Sequence, residues 1–219
     1  MQLISSHQRV SICISGGFDS SLLLWLLVRD NPQLFIVPHV LEMADSDRNS
    51  LSPARAVLDH VSRSLPNSLQ PLQVVRVQCD TSEFKTKGDR ALLHAILANH
   101  ADMGLTANYN GITLNPTVDQ GQGWFTAETW QQRDLHRDPL PRGMPYDTEN
   151  LAQGVIWLRP FRNMTKAALK RMYDALGLTD SLGAMTRSCS SERRMLDPND
   201  QPCGRCYYCA ERAWAFACS

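Results

Sequence analysis

Between two short apolar runs near the start of the chain, Val10–Ile14 and Leu22–Val28, lies the string Ser15-Gly16-Gly17-Phe18-Asp19-Ser20. The first run is short and bounded by turn residues, so it reads as a buried strand; the second reads as a buried helix. A strand that becomes a helix through two glycines constrains the fold more than any other feature of this sequence. The new helix presents unpaired N–H groups and its positive dipole end at the turn. Glycine lets the backbone approach an oxyanion closely and adopt positive φ. The hydroxyls of Ser15 and Ser20 can donate to the same oxyanion. Asp19 does not welcome a bare phosphate; it can cap the helix or help hold a magnesium ion that bridges phosphates. The string has no Gly-Lys-Ser/Thr and no G-x-G-x-x-G, so it is neither a Walker loop nor a dinucleotide fingerprint. A tight turn with a serine cap is the plainer alternative. Residues Ile14, Ser15, Gly16, Gly17, Phe18, Asp19 and Ser20 form the candidate binding segment.

Strand and helix patterns alternate beyond it. Leu34–Val40 reads as a strand in which Pro38 limits pairing on one side. Ser52-Pro53 starts a helix that runs to about Leu65. Leu72–Val77 is a strand, Asp89–Met103 a helix with Gly104 just past its end, and Leu105–Tyr109 a strand. Val155–Leu158 is a further strand. Thr165 caps a helix whose apolar positions Ala168, Leu169, Met172, Tyr173 and Leu176 share one face, and Gly177 closes it. This order predicts an α/β fold: an open, mostly parallel sheet of about five strands with helices on both faces, spanning residues 1–180. Residues 111–153 are polar and aperiodic and read as a long loop or lid, with Trp124 and Trp130 favouring a contact surface.

Hydrophobic residues make up 43% of the chain, enough for a core, and basic and acidic residues balance at 22 each. Zero net charge argues against bulk nucleic-acid binding. The longest apolar run, Leu22–Val28, is far below the length of about 20 residues that spans a membrane. Met1–Arg9 lacks the pattern of a signal peptide, so a cytoplasmic protein is expected. None of the six histidines pairs with another at metal-ligand spacing, and all read as structural or solvated. Asp45 and Asp47, after the second strand, can reach a metal or a ribose, with a solvated acidic turn the plainer reading.

Four of the seven cysteines fall at Cys189, Cys203, Cys206 and Cys209. The last three form C-x2-C-x2-C, with Gly204 easing the turn between two of them. Four thiolates favour zinc in a closed tetrahedral site, so residues 181–219 read as a structural zinc segment. Cys13 belongs to the core of the first strand. Cys79 and Cys218 lie outside the cluster.

Ser-Gly-Gly-x-Asp-Ser after the first strand resembles the pyrophosphate-binding PP-loop of the N-type ATP pyrophosphatases. Arg159-Pro160-Phe161-Arg162-Asn163-Met164-Thr165-Lys166 resembles a second segment of that superfamily, with Phe161 in place of a leucine. A lysine in the first helical turn opposes the dipole, which argues for a partner anion. Both motifs together with Ser188-Cys189, the C-x2-C-x2-C-x2-R cluster ending at Arg212, and the tail Ala213-Trp214-Ala215-Phe216 resemble the 7-cyano-7-deazaguanine synthase family. The resemblance implies ATP with Mg2+, and structural Zn2+. It implies 7-carboxy-7-deazaguanine and ammonia as substrates, and a homodimer as a candidate assembly. It also implies Ser15, Asp19 and Lys166 as catalytic residues. The family carries Asp-Tyr-Ser-Gly-Tyr-Pro-Asp-Cys-Arg after its fourth strand, whereas this chain reads Asn108-Tyr109-Asn110-Gly111-Ile112-Thr113-Leu114-Asn115-Pro116. The Cys189–Cys203 spacing is also longer. These departures leave three alternatives open: a reaction that stops at the amide, transfer of the activated acyl group to another amine, or tRNA modification by a PP-loop enzyme.

Overall fold

A computed structural model describes residues 2–3, 5–43, 51–66, 68–78, 84–138, 149–150, 154–189 and 202–218. Asp45, Asp47 and Cys79 lie outside the described residues. The strands are β1 (Arg9–Cys13), β2 (Phe35–Met43), β3 (Ser68–Leu69), β4 (Gln73–Val77), β5 (Ala107–Asn110), β6 (Glu149–Asn150) and β7 (Ile156–Leu158). The helices are α1 (Phe18–Asp30), α2 (Leu51–Ser64), α3 (Phe84–Met103), α4 (Ala127–Gln131), α5 (Lys166–Ala175) and α6 (Tyr207–Ala217).

One sheet in the order β3-β2-β1-β5-β7-β6 joins these strands, and β4 also pairs with β2. All the pairings are parallel except β6 with β7. The expected α/β sheet is present, lengthened by the two-residue strands β3 and β6. Pro38 acts as its chemistry requires. The outer edge of β2 pairs with β3 at Phe35–Ile36 and with β4 from His39 onward, and the break between them falls at Val37–Pro38. A residue with no N–H sits where no ladder bond is asked of it.

Strand alternation sorts the core into two faces. Val10, Ile12 and Ile14 pack in a cluster with Leu22, Leu23 and Leu26 of α1, Val57 of α2, and Leu169 and Tyr173 of α5. Cys13, Val75 and Trp157 pack on the other face against Leu92 and Ile96 of α3. Leucines all round α1 are buried, because the helix is covered by α2 and α5 as well as by the sheet. Helix α3 begins at Phe84, earlier than the expected Asp89. Gly88 inside it makes room for β2: a Cβ there would lie 2.5 Å from Leu41 Cδ2. No described helix is long and apolar enough to cross a membrane.

From β1 the chain moves outward to β2 on one side, while β5 lies on the other. The order reverses between β1 and β5, so a crevice opens at their carboxyl ends. Open α/β sheets bind ligands at such a point.

Candidate nucleotide site and cysteine cluster

The loop from Ile14 to Ser20 lies at the carboxyl end of β1, where that order reverses. Ile14 follows β1 with its N–H donated to the His39 carbonyl at 2.8 Å. Gly16 has φ +68°, and a Cβ on it would lie 2.4 Å from Pro53 Cβ and 2.6 Å from Pro53 C. The first turn of α2 therefore sits on Gly16, which is required both for its backbone and for lack of space. Gly17 is the N-cap of α1, with no side chain to satisfy the helix start. Ser15 Oγ accepts the Gly17 N–H at 3.2 Å, and Ser20 Oγ lies 3.3 Å from Ser15 Oγ, the Ser15 N–H and the Gly17 carbonyl. Bonds this long are weak and readily exchanged for those to an anion. Phe18 points the other way: its ring is stacked on Tyr173 at 4.1 Å, and its carbonyl accepts the Tyr173 hydroxyl at 2.8 Å.

Behind the loop lies a buried ionic network. Asp19 Oδ2 accepts the Thr113 hydroxyl at 2.9 Å, and Oδ1 lies 3.5 Å from Lys166 Nζ. Asp19 Oδ1 is buried and accepts no hydrogen bond. Lys166 is the first residue of α5, which Thr165 caps by accepting the Ala168 N–H. Far from being solvated there, Lys166 is 3% exposed and lies 3.0 Å from Glu211 Oε2. Glu211, 0% exposed on α6, also receives both terminal nitrogens of Arg137, Nη1 on Oε2 at 3.2 Å and Nη2 on Oε1. Arg137 also donates to the Thr113 carbonyl at 2.9 Å and to its hydroxyl at 2.8 Å. Burial alone would push the Glu211 carboxyl up, but Lys166 and Arg137 hold it below the usual carboxylate range. The structure thus sets Asp19 against Lys166 directly beside the loop that carries Ser15 and Ser20. Sequence reasoning missed Thr113, Arg137 and Glu211. A signal existed for one of them: Tyr207, Glu211, Trp214 and Ala215 are the buried residues of α6, and an acid on an apolar face requires a buried cation.

The end of β5 is pressed onto α1. A Cβ on Gly111 would lie 2.7 Å from Ser20 N and 2.8 Å from Asp19 C. Within the stretch expected to be a long loop or lid, residues 111–138 carry α4 and a 3-10 turn at Leu135–Arg137. They pack on α6: Phe125 lies 5.2 Å and Trp130 6.3 Å from the Tyr207 ring, and Asn115 Oδ1 accepts the Tyr207 hydroxyl at 3.1 Å. Trp124 is exposed.

At the other end of the site, the sulfurs of Cys189, Cys203, Cys206 and Cys209 all lie within 4.8 Å of one another. The Cys203–Cys209 and Cys189–Cys206 separations are each 3.9 Å. A tetrahedral ion with metal–sulfur bonds of about 2.3 Å spaces its sulfurs about 3.8 Å apart, so the four residues fit a single metal ion. Burial would push the Cys203 thiol up, but N–H groups of Arg205 and Cys206 at 3.4 and 3.3 Å hold it below the ordinary thiol value. The adjacent Cys206 thiol and burial push Cys209 up. Cys13, outside the cluster, is pushed up to about 12 by burial and stays a core thiol. His39 is buried with Nε2 2.7 Å from Asn99 Nδ2, and burial lowers it to about 4.

A short segment ties the two ends together. The Arg187 N–H donates to the Gly16 carbonyl at 2.8 Å, and Cys189 follows two residues on. Arg212 donates from Nη1 to Thr186 Oγ1 at 2.7 Å and from Nη2 to the Gly183 carbonyl at 3.0 Å. Its guanidinium lies 5.1 Å from the Phe18 ring centre and 4.8 Å from that of Phe216.

No protein-family model matches the chain, and no curated protein matches it. It aligns with solved structures at low identity. A U34-tRNA thiolase, NcsA, from Methanococcus maripaludis with its 4Fe–4S cluster matches at 13% identity and TM-score 0.48, covering 96% of this chain and 71% of that one. A 4-thiouridine synthetase–RNA complex with bound ATP matches at 14% and 0.46, covering 96% and 53%. A glutamine-dependent NAD+ synthetase from Acinetobacter baumannii in complex with ADP matches at 13% and 0.37, covering 49% and 22%. The chain thus spans about a fifth of the NAD+ synthetase and about half of the 4-thiouridine synthetase.

Proposed function

We propose that the chain is an ATP-dependent ligase of PP-loop type. It would activate a carboxylate by adenylation and pass the acyl group to ammonia. One observation carries this reading: the Gly16–Ser20 loop, with its loosely held hydroxyls, sits at the carboxyl end of β1 with Asp19 and Lys166 directly behind it. The resemblance of both motifs and of the cysteine tail selects 7-carboxy-7-deazaguanine as the acceptor.

In this reading a carboxylate oxygen attacks the α-phosphorus of ATP. The bond to the bridging oxygen breaks and pyrophosphate leaves onto the loop. Gly17 and Ser20, at the start of α1, offer backbone N–H groups, and Ser15 and Ser20 offer hydroxyls, where the negative charge develops. Lys166 supplies a positive charge already desolvated, and Glu211 fixes its position. Ammonia then attacks the acyl carbon. AMP departs with one former carboxylate oxygen, a proton goes to solvent, and an amide remains. In a second round the amide oxygen attacks another ATP, AMP again carries that oxygen away, two protons are lost, and a nitrile results. No nucleophilic side chain is needed, since catalysis is positioning and charge stabilisation. The unbonded Asp19 Oδ1 fits a ligand for magnesium, which when bound would neutralise phosphate charge. The cysteine cluster fits zinc in a structural role.

A second reading, in which the reaction stops at the amide, draws on Asn108–Asn115. Asn108 is bound to Ser11, Thr113 to Asp19 and Arg137, and Asn115 to Asp138 and Tyr207. These polar groups are committed to holding the site together. Incubation of metal-loaded protein with magnesium-ATP, ammonium and 7-carboxy-7-deazaguanine, followed by mass spectrometry, separates the outcomes. A nitrile supports the full synthase and an amide the shortened reaction. The absence of both, with no AMP formed, contradicts the ligase.

A further inference from the structure

Beside the Ser15–Ser20 loop two opposite charges face each other without closing. Asp19 Oδ1 and Lys166 Nζ are 3.5 Å apart. A carboxylate and an ammonium that are free to meet settle at about 2.7–2.9 Å. Both side chains are largely out of water, where their attraction is strong. The gap therefore has its cause in the protein.

Each partner is held from behind. Lys166 Nζ is drawn the other way, to Glu211 Oε2 at 3.0 Å. Asp19 is tethered by its other oxygen, since Oδ2 accepts the Thr113 hydroxyl at 2.9 Å. The direction of that bond is forced. Arg137 Nη2 donates one hydrogen to Glu211 Oε1 and the other to Thr113 Oγ1, the latter at 2.8 Å. A guanidinium only donates, so Thr113 Oγ1 accepts from Arg137 and its single proton goes to Asp19. The backbone fixes this arrangement. Leu114 donates its N–H to the Met164 carbonyl at 2.8 Å and forms a parallel bridge with Thr165, the residue before Lys166. Asn115 donates its N–H to the Arg137 carbonyl at 2.8 Å. The run 113–115 thus sets the hydroxyl, its arginine and the lysine in one register. What it leaves over is Asp19 Oδ1, buried and without a hydrogen-bond partner.

We propose that Thr113 is a positioning residue: oriented by Arg137, its hydroxyl holds Asp19 off Lys166, so that Oδ1 stays open to magnesium and the lysine to a phosphate oxygen. The proposal rests on the reading of the Ser15–Ser20 loop as a pyrophosphate site. Without the hydroxyl the carboxylate turns and closes on Lys166, and each charge quenches the other. Calorimetry on the zinc-loaded chain would measure pyrophosphate affinity with and without magnesium. The quantity read is the ratio of the two, the magnesium enhancement. Thr113→Val keeps the bulk and removes the hydroxyl. It lowers the enhancement by roughly tenfold, the worth of one hydrogen bond to a charged group, towards the level of Asp19→Asn. Thr113→Ser, which keeps the hydroxyl, retains the enhancement. A merely structural role would weaken binding equally in both conditions and leave the ratio alone. Arg137→Lys keeps a cation for Glu211 but cannot also orient the hydroxyl, and it lowers the enhancement less than Thr113→Val does; it decides the matter if Thr113→Val does not fold. The proposal is overturned if Thr113→Val, or in its place Arg137→Lys, keeps the wild-type ratio, or if Thr113→Ser loses as much as Thr113→Val. A wild type that binds pyrophosphate without regard to magnesium overturns the proposal and leaves the loop reading standing. A wild type that binds no pyrophosphate in either condition overturns both.

Discussion

The Ser15–Ser20 loop and the cysteine cluster are joined by the short run Arg187–Cys189, yet they hold charge by opposite means. The loop is made by the fold's own core. Glycines fit under α2 and against β5, and the charges behind them neutralise one another inside the protein: Asp19 and Glu211 against Lys166 and Arg137. The cluster gathers four sulfurs within 4.8 Å of one another, a set that could hold a metal ion. One region is preformed by packing, and the other is proposed to be completed by metal. The protein's stability and its chemistry should therefore separate under the right perturbation.

The strongest test of that separation is Glu211→Ala. It leaves Lys166 and Arg137 buried without their shared anion, and the expected loss is about 3–5 kcal/mol of stability. Urea unfolding measures it, and a loss below 1 kcal/mol would mean the network is not part of the preformed core. Next comes acid. His39 has an ordinary value of 6.5 and a folded value of about 4. The unfolded chain takes up a proton at that residue below 6.5 and the folded chain does not until about 4. Stability from its neutral form is complete above pH 6.5, falls through that window, and amounts to about 3 kcal/mol. His39→Gln should flatten the urea midpoint between pH 7 and pH 4.

Removal of metal is expected to lower stability by about 2.7 kcal/mol when free metal stands at a hundred times its dissociation constant. The loop should still bind pyrophosphate, because α6 has its own buried anchors in Tyr207 and Trp214. Loss of pyrophosphate binding on chelation would erase the contrast between the two regions. The smallest effect belongs to Ser20→Ala. Its bonds to Ser15 and Gly17 are 3.3 Å long. Stability should change little, while pyrophosphate affinity falls by about 0.5–1.5 kcal/mol, one hydrogen bond's worth.

The strand-to-helix turn at Ser15–Ser20, proposed to bind phosphate, was legible in the sequence because its glycines, hydroxyls and acid are neighbours in the chain. The cysteine cluster was legible because three of its ligands recur at a fixed spacing. Lys166 showed itself as a cation in the wrong turn of a helix, but its anions did not, since Glu211 meets Arg137 from 74 residues away. Thr113 and Gly111 lie in a stretch with no periodicity, and only the close approach of β5 to α1 gives them a role. The strands β3 and β6, two residues each, are too short to carry an alternating pattern.

The most direct test of the chemistry is to follow the acceptor's oxygen. The carboxylate of 7-carboxy-7-deazaguanine would be labelled with oxygen-18 and turned over with magnesium-ATP and ammonium. An adenylate mechanism predicts AMP carrying the label, with unlabelled pyrophosphate formed in equal amount. ADP with labelled inorganic phosphate, or AMP without label, would contradict it.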